Sequence, residues 1–98
     1  MAETLAGRIA LITGGGTGIG KSSADQMAAL GATVIVVGRR QGPLDEVVAA
    51  IGDNASAITA DLADPLEAER LAAEVLAVHG RVDILVNNAG FSSKVRNP

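Results

Sequence analysis

Apolar positions along the chain fall into short continuous runs, separated by stretches in which they recur every three or four residues. Arg8-Ile9-Ala10-Leu11-Ile12-Thr13 is the first run, and it ends in a glycine cluster, the pattern of a buried parallel strand. Gly18 to Leu30 predicts a helix with Ile19, Met27 and Leu30 on its inward side and Gly31 as its stop. Thr33-Val34-Ile35-Val36-Val37 is β-branched throughout and stops at Gly38, a second strand. Pro43 to Ile51 predicts a short helix, with Pro43 near its first position and Gly52 past its end. Ser56-Ala57-Ile58-Thr59 is a weaker strand. Asp64 caps a longer helix, with Pro65 at the first helical position and Glu67 as the acid of a capping-box variant. That helix carries Leu66, Leu71, Val75, Leu76 and Val78 and ends at His79-Gly80. Val82-Asp83-Ile84-Leu85-Val86 is the last strand.

The order is therefore β-α-β-α-β-α-β. Continuous apolar strands alternating with helices predict an α/β fold, a parallel sheet covered on both faces by right-handed crossovers. The chain has no internal repeat, low-complexity tract or linker, and Phe91 to Pro98 reads as the start of a loop.

Composition narrows the function classes. Ninety-eight residues hold one domain at most, and a 48% apolar share excludes disorder. A chain of this size buries roughly 60–70% of its unfolded surface. A net charge of −3 argues against nucleic acid or an anionic membrane as the main partner. With no cysteine there is neither a disulfide scaffold nor a Cys-ligated metal site. Met1-Ala2-Glu3-Thr4 carries no basic leader, and no apolar run approaches about 18 residues, so a cytoplasmic protein without a membrane span is expected.

The candidate chemistry lies between the first strand and the first helix, in Thr13-Gly14-Gly15-Gly16-Thr17-Gly18-Ile19-Gly20-Lys21-Ser22. Glycines there permit positive φ and let backbone amides approach an anion, while the helix N-terminus adds a favourable dipole. A phosphate-bearing ligand is the natural occupant. Read as Gly15-x4-Gly20-Lys21-Ser22, the loop satisfies the phosphate-binding motif of P-loop NTPases, with Lys21 at the β- and γ-phosphates and Ser22 on Mg²⁺. Read as Thr13-Gly14-x3-Gly18-x-Gly20, it resembles the cofactor loop of short-chain dehydrogenases/reductases. It does not fit Gly-x-Gly-x-x-Gly.

Other residues separate the two readings. A P-loop enzyme needs an acid after an apolar strand to help hold Mg²⁺. Here the second strand ends in Gly38-Arg39 and the fourth in Asn87-Asn88; only Asp61 follows a strand, the least apolar one. Asn87-Asn88-Ala89-Gly90 after Ile84-Leu85-Val86 is the hallmark tetrapeptide of short-chain dehydrogenases, and Asp61-Leu62 resembles that family's adenine-contacting pair. Three landmarks in order cover Arg8 to Gly90.

The resemblance implies a partial Rossmann fold with strand order 3-2-1-4, truncated after the fourth strand, so that residues 1–98 form the N-terminal part of one NAD(P)-binding domain. Gly14, Gly18 and Gly20, with Gly16 and Thr17 completing the loop, would form the turn, admit the pyrophosphate and allow close helix–strand packing. Ile19 packs near the pyrophosphate through its main chain. Asp61 accepts from the adenine amino group beside the Leu62 amide, and Asn88, Ala89 and Gly90 line the ribose next to the nicotinamide. The double Asn also suits stapling of the strand end.

NAD-preferring Rossmann sites place an acid at the end of the second strand, where it accepts from the ribose hydroxyls. Gly38 stands there instead, followed by Arg39-Arg40, which suit a 2′-phosphate. NADP(H) is expected, with NAD(H) as the alternative. Thr17 dissents, because NADP-dependent relatives often carry a second basic residue before the middle glycine.

The family transfers a hydride between nicotinamide and a small carbonyl or alcohol substrate, using a serine, a tyrosine and a lysine that lie in its second half. This chain has no tyrosine, so no catalytic residue is assigned within it, and no metal ligand either. His79 suits a helix C-terminus, and the resemblance implies that Ser92-Ser93-Lys94 lies in the loop beside the substrate pocket. The full-length protein is expected to be a homo-oligomer. The 98-residue chain alone is expected to be inactive, marginally stable and association-prone along the apolar edge of Ile84-Leu85-Val86. A nucleotide-binding module naturally this short is the remaining alternative.

Overall fold

The computed structural model describes residues 4–16 and 18–88. In chain order these form β1 (Ile9–Thr13), α1 (Gly18–Ala29), β2 (Thr33–Gly38), α2 (Gln41–Ile51), β3 (Ala55–Thr59), α3 (Pro65–His79) and β4 (Ile84–Asn87). The four strands make one sheet in the order β3-β2-β1-β4, and every pairing is parallel. The register sets Ile12 between Val36 and Val86, so the apolar centres of β1, β2 and β4 coincide. This is the Rossmann-like α/β arrangement and strand order expected from the sequence.

Side-chain alternation along the strands divides the core into two layers. Ala10, Ile12, Val34 and Val36 pack with Ala24, Leu44 and Val47 from α1 and α2. Ile35 and Val37 pack on the opposite face with Leu71 and Val75 of α3. The continuous apolar run of β2 follows from this, since it is buried on both faces.

Helix α1 reaches the sheet through small residues. Its buried positions are Gly20 and Ala24, with Met27 and Ala28 partly covered, spaced as one face of a helix. Ile19 and Leu30, expected inside, are 74% and 37% exposed, so the inward stripe is offset from the large apolar residues. On α3, Leu71 and Val75 face the sheet while Leu66, Leu76 and Val78 face outward.

Two element starts and one helix cap differ from expectation for identifiable reasons. Helix α2 starts at Gln41 rather than Pro43; a proline in the first turn forfeits no intrahelical bond, because the first N–H groups have no partner. At α3, Asp64 caps the Leu66 N–H at 2.9 Å and Gly80 closes the helix at φ +81°. Glu67 does not reach back to Asp64. It accepts from the Asp61 N–H and pairs with Arg70, so only half of the capping box forms. Strand β4 starts at Ile84 rather than Val82, because Asp83 uses its carboxylate to accept the Ile9 N–H at 2.8 Å. Asp83 also donates its own N–H to the Ile9 carbonyl at 2.9 Å. Arg81 holds that carboxylate and donates to the Gly7 carbonyl, tying the starts of β1 and β4 together.

No helix among the described residues is long and apolar enough to cross a membrane. Strand β4 leaves Leu85, on the α3 face, 62% exposed.

Candidate functional site

A parallel sheet whose first and fourth strands are neighbours opens a crevice beyond its carboxyl ends, because the crossovers leave in opposite directions there. The described residues contain a cleft of about 1010 Å³ at that place. The loop after β1 supplies Gly14, Gly16, Gly18, Ile19 and Gly20; the end of β2 supplies Gly38, Arg39 and Arg40; the β3–α3 loop supplies Asp61 and Leu62; the end of β4 supplies Asn88. All eleven are positions singled out from the sequence, ten of them as candidate cofactor contacts, and they are drawn together from four separate strand ends. Thr17, Ala89 and Gly90, assigned with them, lie outside the described residues, as do Ser92, Ser93 and Lys94.

The glycines divide the work. Gly14 has φ +66°, and a Cβ there would stand 2.6 Å from the Asn88 carbonyl oxygen, so the loop turns hard against the end of β4. Gly20 has no room for a side chain at all: a Cβ would lie 2.0 Å from the Gly14 carbonyl oxygen. Gly18 has φ +56° with open space in front of it. Together they fold the loop back on itself and bring the first turn of α1 to the cleft, where Gly18, Ile19 and Gly20 carry N–H groups that no preceding helical turn can satisfy. No acid stands in that turn, nor in the first turn of α2.

Thr13, buried at the end of β1, joins the loop to the fourth strand. Its hydroxyl accepts the Asn88 N–H at 2.9 Å and lies 3.0 Å from Asn87 Oδ1, to which it donates. This contact supports the stapling role considered for the double Asn. Asn88 Nδ2 is buried without a partner among the described residues, a donor set at the cleft wall.

Arg39 and Arg40 are exposed, line the cleft and form no ion pair with any described residue. Arg40 occupies the N-cap position of α2 in extended conformation, and its side chain makes no capping bond. Gly38, between β2 and these arginines, would present an added Cβ to Leu44 at 3.4 Å, an ordinary contact. Across the cleft, Asp61 Oδ1 accepts the Ala63 N–H at 3.1 Å, and no donor among the described residues bonds Oδ2.

Ile19 enters the site by a route other than the one expected. Its exposed side chain lines the cleft instead of the core. Pro43 and Leu44 were read only as helix residues, yet both line the cleft, and a Cβ on Gly16 would meet Pro43 at 3.0 Å. The spacing of Leu44 and Val47 carries the signal that this helix packs inward; nothing local says that its first turn meets the glycine loop. Lys21 and Ser22, which a P-loop would need at the phosphates, are exposed and absent from the cleft lining. Among the described residues no cluster of three or more His, Asp or Glu could hold a metal ion.

A family model described as short chain dehydrogenase matches residues 8–97. The fatty acyl-CoA reductase of Acinetobacter baylyi is 44% identical over 93 residues, covering 92% of this chain and 32% of that protein. Among solved structures, the Pseudomonas aeruginosa RhlG/NADP active-site complex is similar with a TM-score of 0.82 and 42% identity, over 91% of this chain and 37% of that one. A 3-ketoacyl-(acyl-carrier-protein) reductase from Brucella melitensis complexed with NADH gives 0.80 and 38%, over 84% and 34%. The chain spans about a third of the length of each of these relatives. The P-loop reading finds no support in them.

Proposed function

This chain belongs to the short-chain dehydrogenase family, a family of oxidoreductases, and on that premise we propose that it is the dinucleotide-binding part of an NADP(H)-preferring enzyme. One observation carries the reading: the glycine loop, two arginines without acidic partners, and Asp61 converge on a single cleft at the carboxyl ends of the strands.

The residues present fit a dinucleotide. The Gly14–Gly20 contact leaves the first turn of α1 bare, and its N–H groups would hold the pyrophosphate with help from the helix dipole. Arg39 would take a 2′-phosphate through paired charge-assisted bonds, with Arg40 beside it, in a place where an acid would repel that group. Asp61 Oδ2 would accept from the adenine amino group, beside the Leu62 amide. Asn88, followed in sequence by Ala89 and Gly90, would line the ribose next to the nicotinamide. When bound, the nicotinamide supplies the hydride that the family exchanges with a small carbonyl or alcohol carbon. The chain's own contribution is to bind and orient the dinucleotide.

By resemblance the proton at the substrate oxygen belongs to a tyrosine assisted by a serine and a lysine, and this chain has no tyrosine. Hence we propose that the 98 residues alone bind but do not turn over, and that the whole enzyme is a homo-oligomer. A thermal-shift titration with NADPH, NADH and Mg-ATP tests the reading. Stabilisation is expected from NADPH above NADH and none from Mg-ATP, since a ligand stabilises only the fold that binds it. Stabilisation by Mg-ATP alone would overturn it. NADPH-dependent carbonyl reduction by the purified chain would overturn the claim of inactivity.

A further inference from the structure

The β3–α3 loop, which presents Asp61 to the cleft, is held by a charged clasp whose side chains do not line the cleft. Arg70, one turn into α3, donates from NH2 to the Thr59 carbonyl at 2.9 Å and to Glu67 Oε1 at 3.1 Å. Its Nε reaches Glu67 Oε2 at 3.4 Å, and NH1 pairs with Glu74. Glu67 Oε1 also accepts the Asp61 N–H at 3.4 Å. Thr59 and Asp61 are thereby tied to α3 on either side of one buried residue. The Ala63 N–H fixes one oxygen of the Asp61 carboxylate and leaves the other for the cleft.

We propose that Glu67 and Arg70 are positioning residues for recognition of the base: they fix the backbone of Asp61, and through it the direction of its carboxylate, without touching the dinucleotide. The inference rests on the reading above, in which Asp61 meets the adenine amino group. Energetics separate it from a plain surface salt bridge. Glu67 and Arg70 are both partly solvated, and exposed ion pairs contribute little to global stability. Breaking this one should leave the melting temperature nearly unchanged while loosening one carboxylate. Arg70 bridges a main-chain oxygen and a carboxylate at once, a task for a planar fork of donors that a lysine ammonium performs only in part.

The test compares NADPH with its hypoxanthine analogue, which carries a carbonyl oxygen where adenine carries the amino group. Dissociation constants for both would be measured by nicotinamide fluorescence on the whole chain, for the wild type, Glu67→Gln, Arg70→Met, Arg70→Lys and Asp61→Asn. The wild type is expected to prefer adenine by about tenfold, since the analogue sets an acceptor against an acceptor. Glu67→Gln and Arg70→Met should bring that ratio close to one, Arg70→Lys should keep part of it, and all three should melt as the wild type does. Loss of preference in Asp61→Asn alone would overturn the clasp and leave the Asp61 reading standing. An undiminished preference in Asp61→Asn would overturn both. Equal weakening of the two ligands with a lowered melting temperature would assign the clasp a purely structural role, against the proposal. Failure of the wild type to bind either dinucleotide would remove the reading beneath it.

Discussion

Gly20 packs its Cα against the carbonyl of Gly14 so closely that a methyl group in place of its hydrogen would stand 2.0 Å from that oxygen. No side-chain rotation of a neighbour relieves this contact, because the atom in the way is main chain. The closeness is what brings the first turn of α1 to the end of β1.

Gly20→Ala should therefore unfold or displace the loop. Overpacking of this kind costs about 1–3 kcal/mol or more, and dinucleotide binding should be lost with it. Gly18→Ala, at φ +56° in open space, meets only backbone strain and should cost about 1–2 kcal/mol. Urea midpoints of the two variants, with NADPH titrations, check the order of severity.

The 2′-phosphate preference should be reversible at the end of β2. Arg39→Ala is expected to weaken NADPH by about 10- to 100-fold, the worth of a charge-assisted hydrogen bond or two, with little change for NADH. In Gly38→Asp the added Cβ meets Leu44 at an ordinary 3.4 Å, and the carboxylate should reverse the order of the two cofactors. Parallel fluorescence titrations with the two cofactors measure this. Equal NADPH affinity in Arg39→Ala would remove the assignment.

Thr13→Val should disconnect the loop from β4. Valine keeps the shape and deletes the hydroxyl that accepts the Asn88 N–H, leaving that donor without its partner in a part-buried place. A cost of about 1–3 kcal/mol is expected in chemical denaturation, as for other unpaired donors.

Asp83 should make stability sensitive to acid. The Ile9 N–H first, then Arg81 and Arg8, hold its carboxyl below the usual carboxylate range. A group whose folded pKa is depressed contributes stability that is present above its unfolded pKa, and that contribution is lost as pH falls through the folded value. Melting temperature should thus fall on acidification below the ordinary carboxylate range. In Asp83→Asn the same scan should start lower and be flatter. Identical slopes in the two proteins would show that other carboxylates carry the effect.

Leu85 should govern self-association of the 98-residue chain. It is an exposed large apolar side chain on β4, the strand at the end of the sheet order. Leu85→Lys is expected to lower concentration-dependent association in light scattering with a change of unfolding free energy within about 0.5 kcal/mol, as for exposed positions generally.

The sequence by itself determined the order and kind of every element, because each boundary carries its own local chemistry. β-branched runs stop at glycines, Pro65 follows Asp64 at a helix start, and Gly80 ends that helix in the left-handed region. The strand order, and the convergence of ten named positions on one cleft, were likewise legible, through resemblance of the glycine loop, Asp61-Leu62 and Asn87-Asn88 to one family. What only the tertiary structure decided depends on distances between residues far apart in the chain. Local hydrophobicity could not phase α1, whose inward stripe is the small Gly20 and Ala24, because the position that meets the Gly14 carbonyl has no room for a side chain. Nor could spacing alone show that Glu67 would leave its capping partner for Arg70 and Asp61, or that Thr13 would hold Asn88. Such contacts are chosen between competing partners, and only the closed sheet fixes which partner is near.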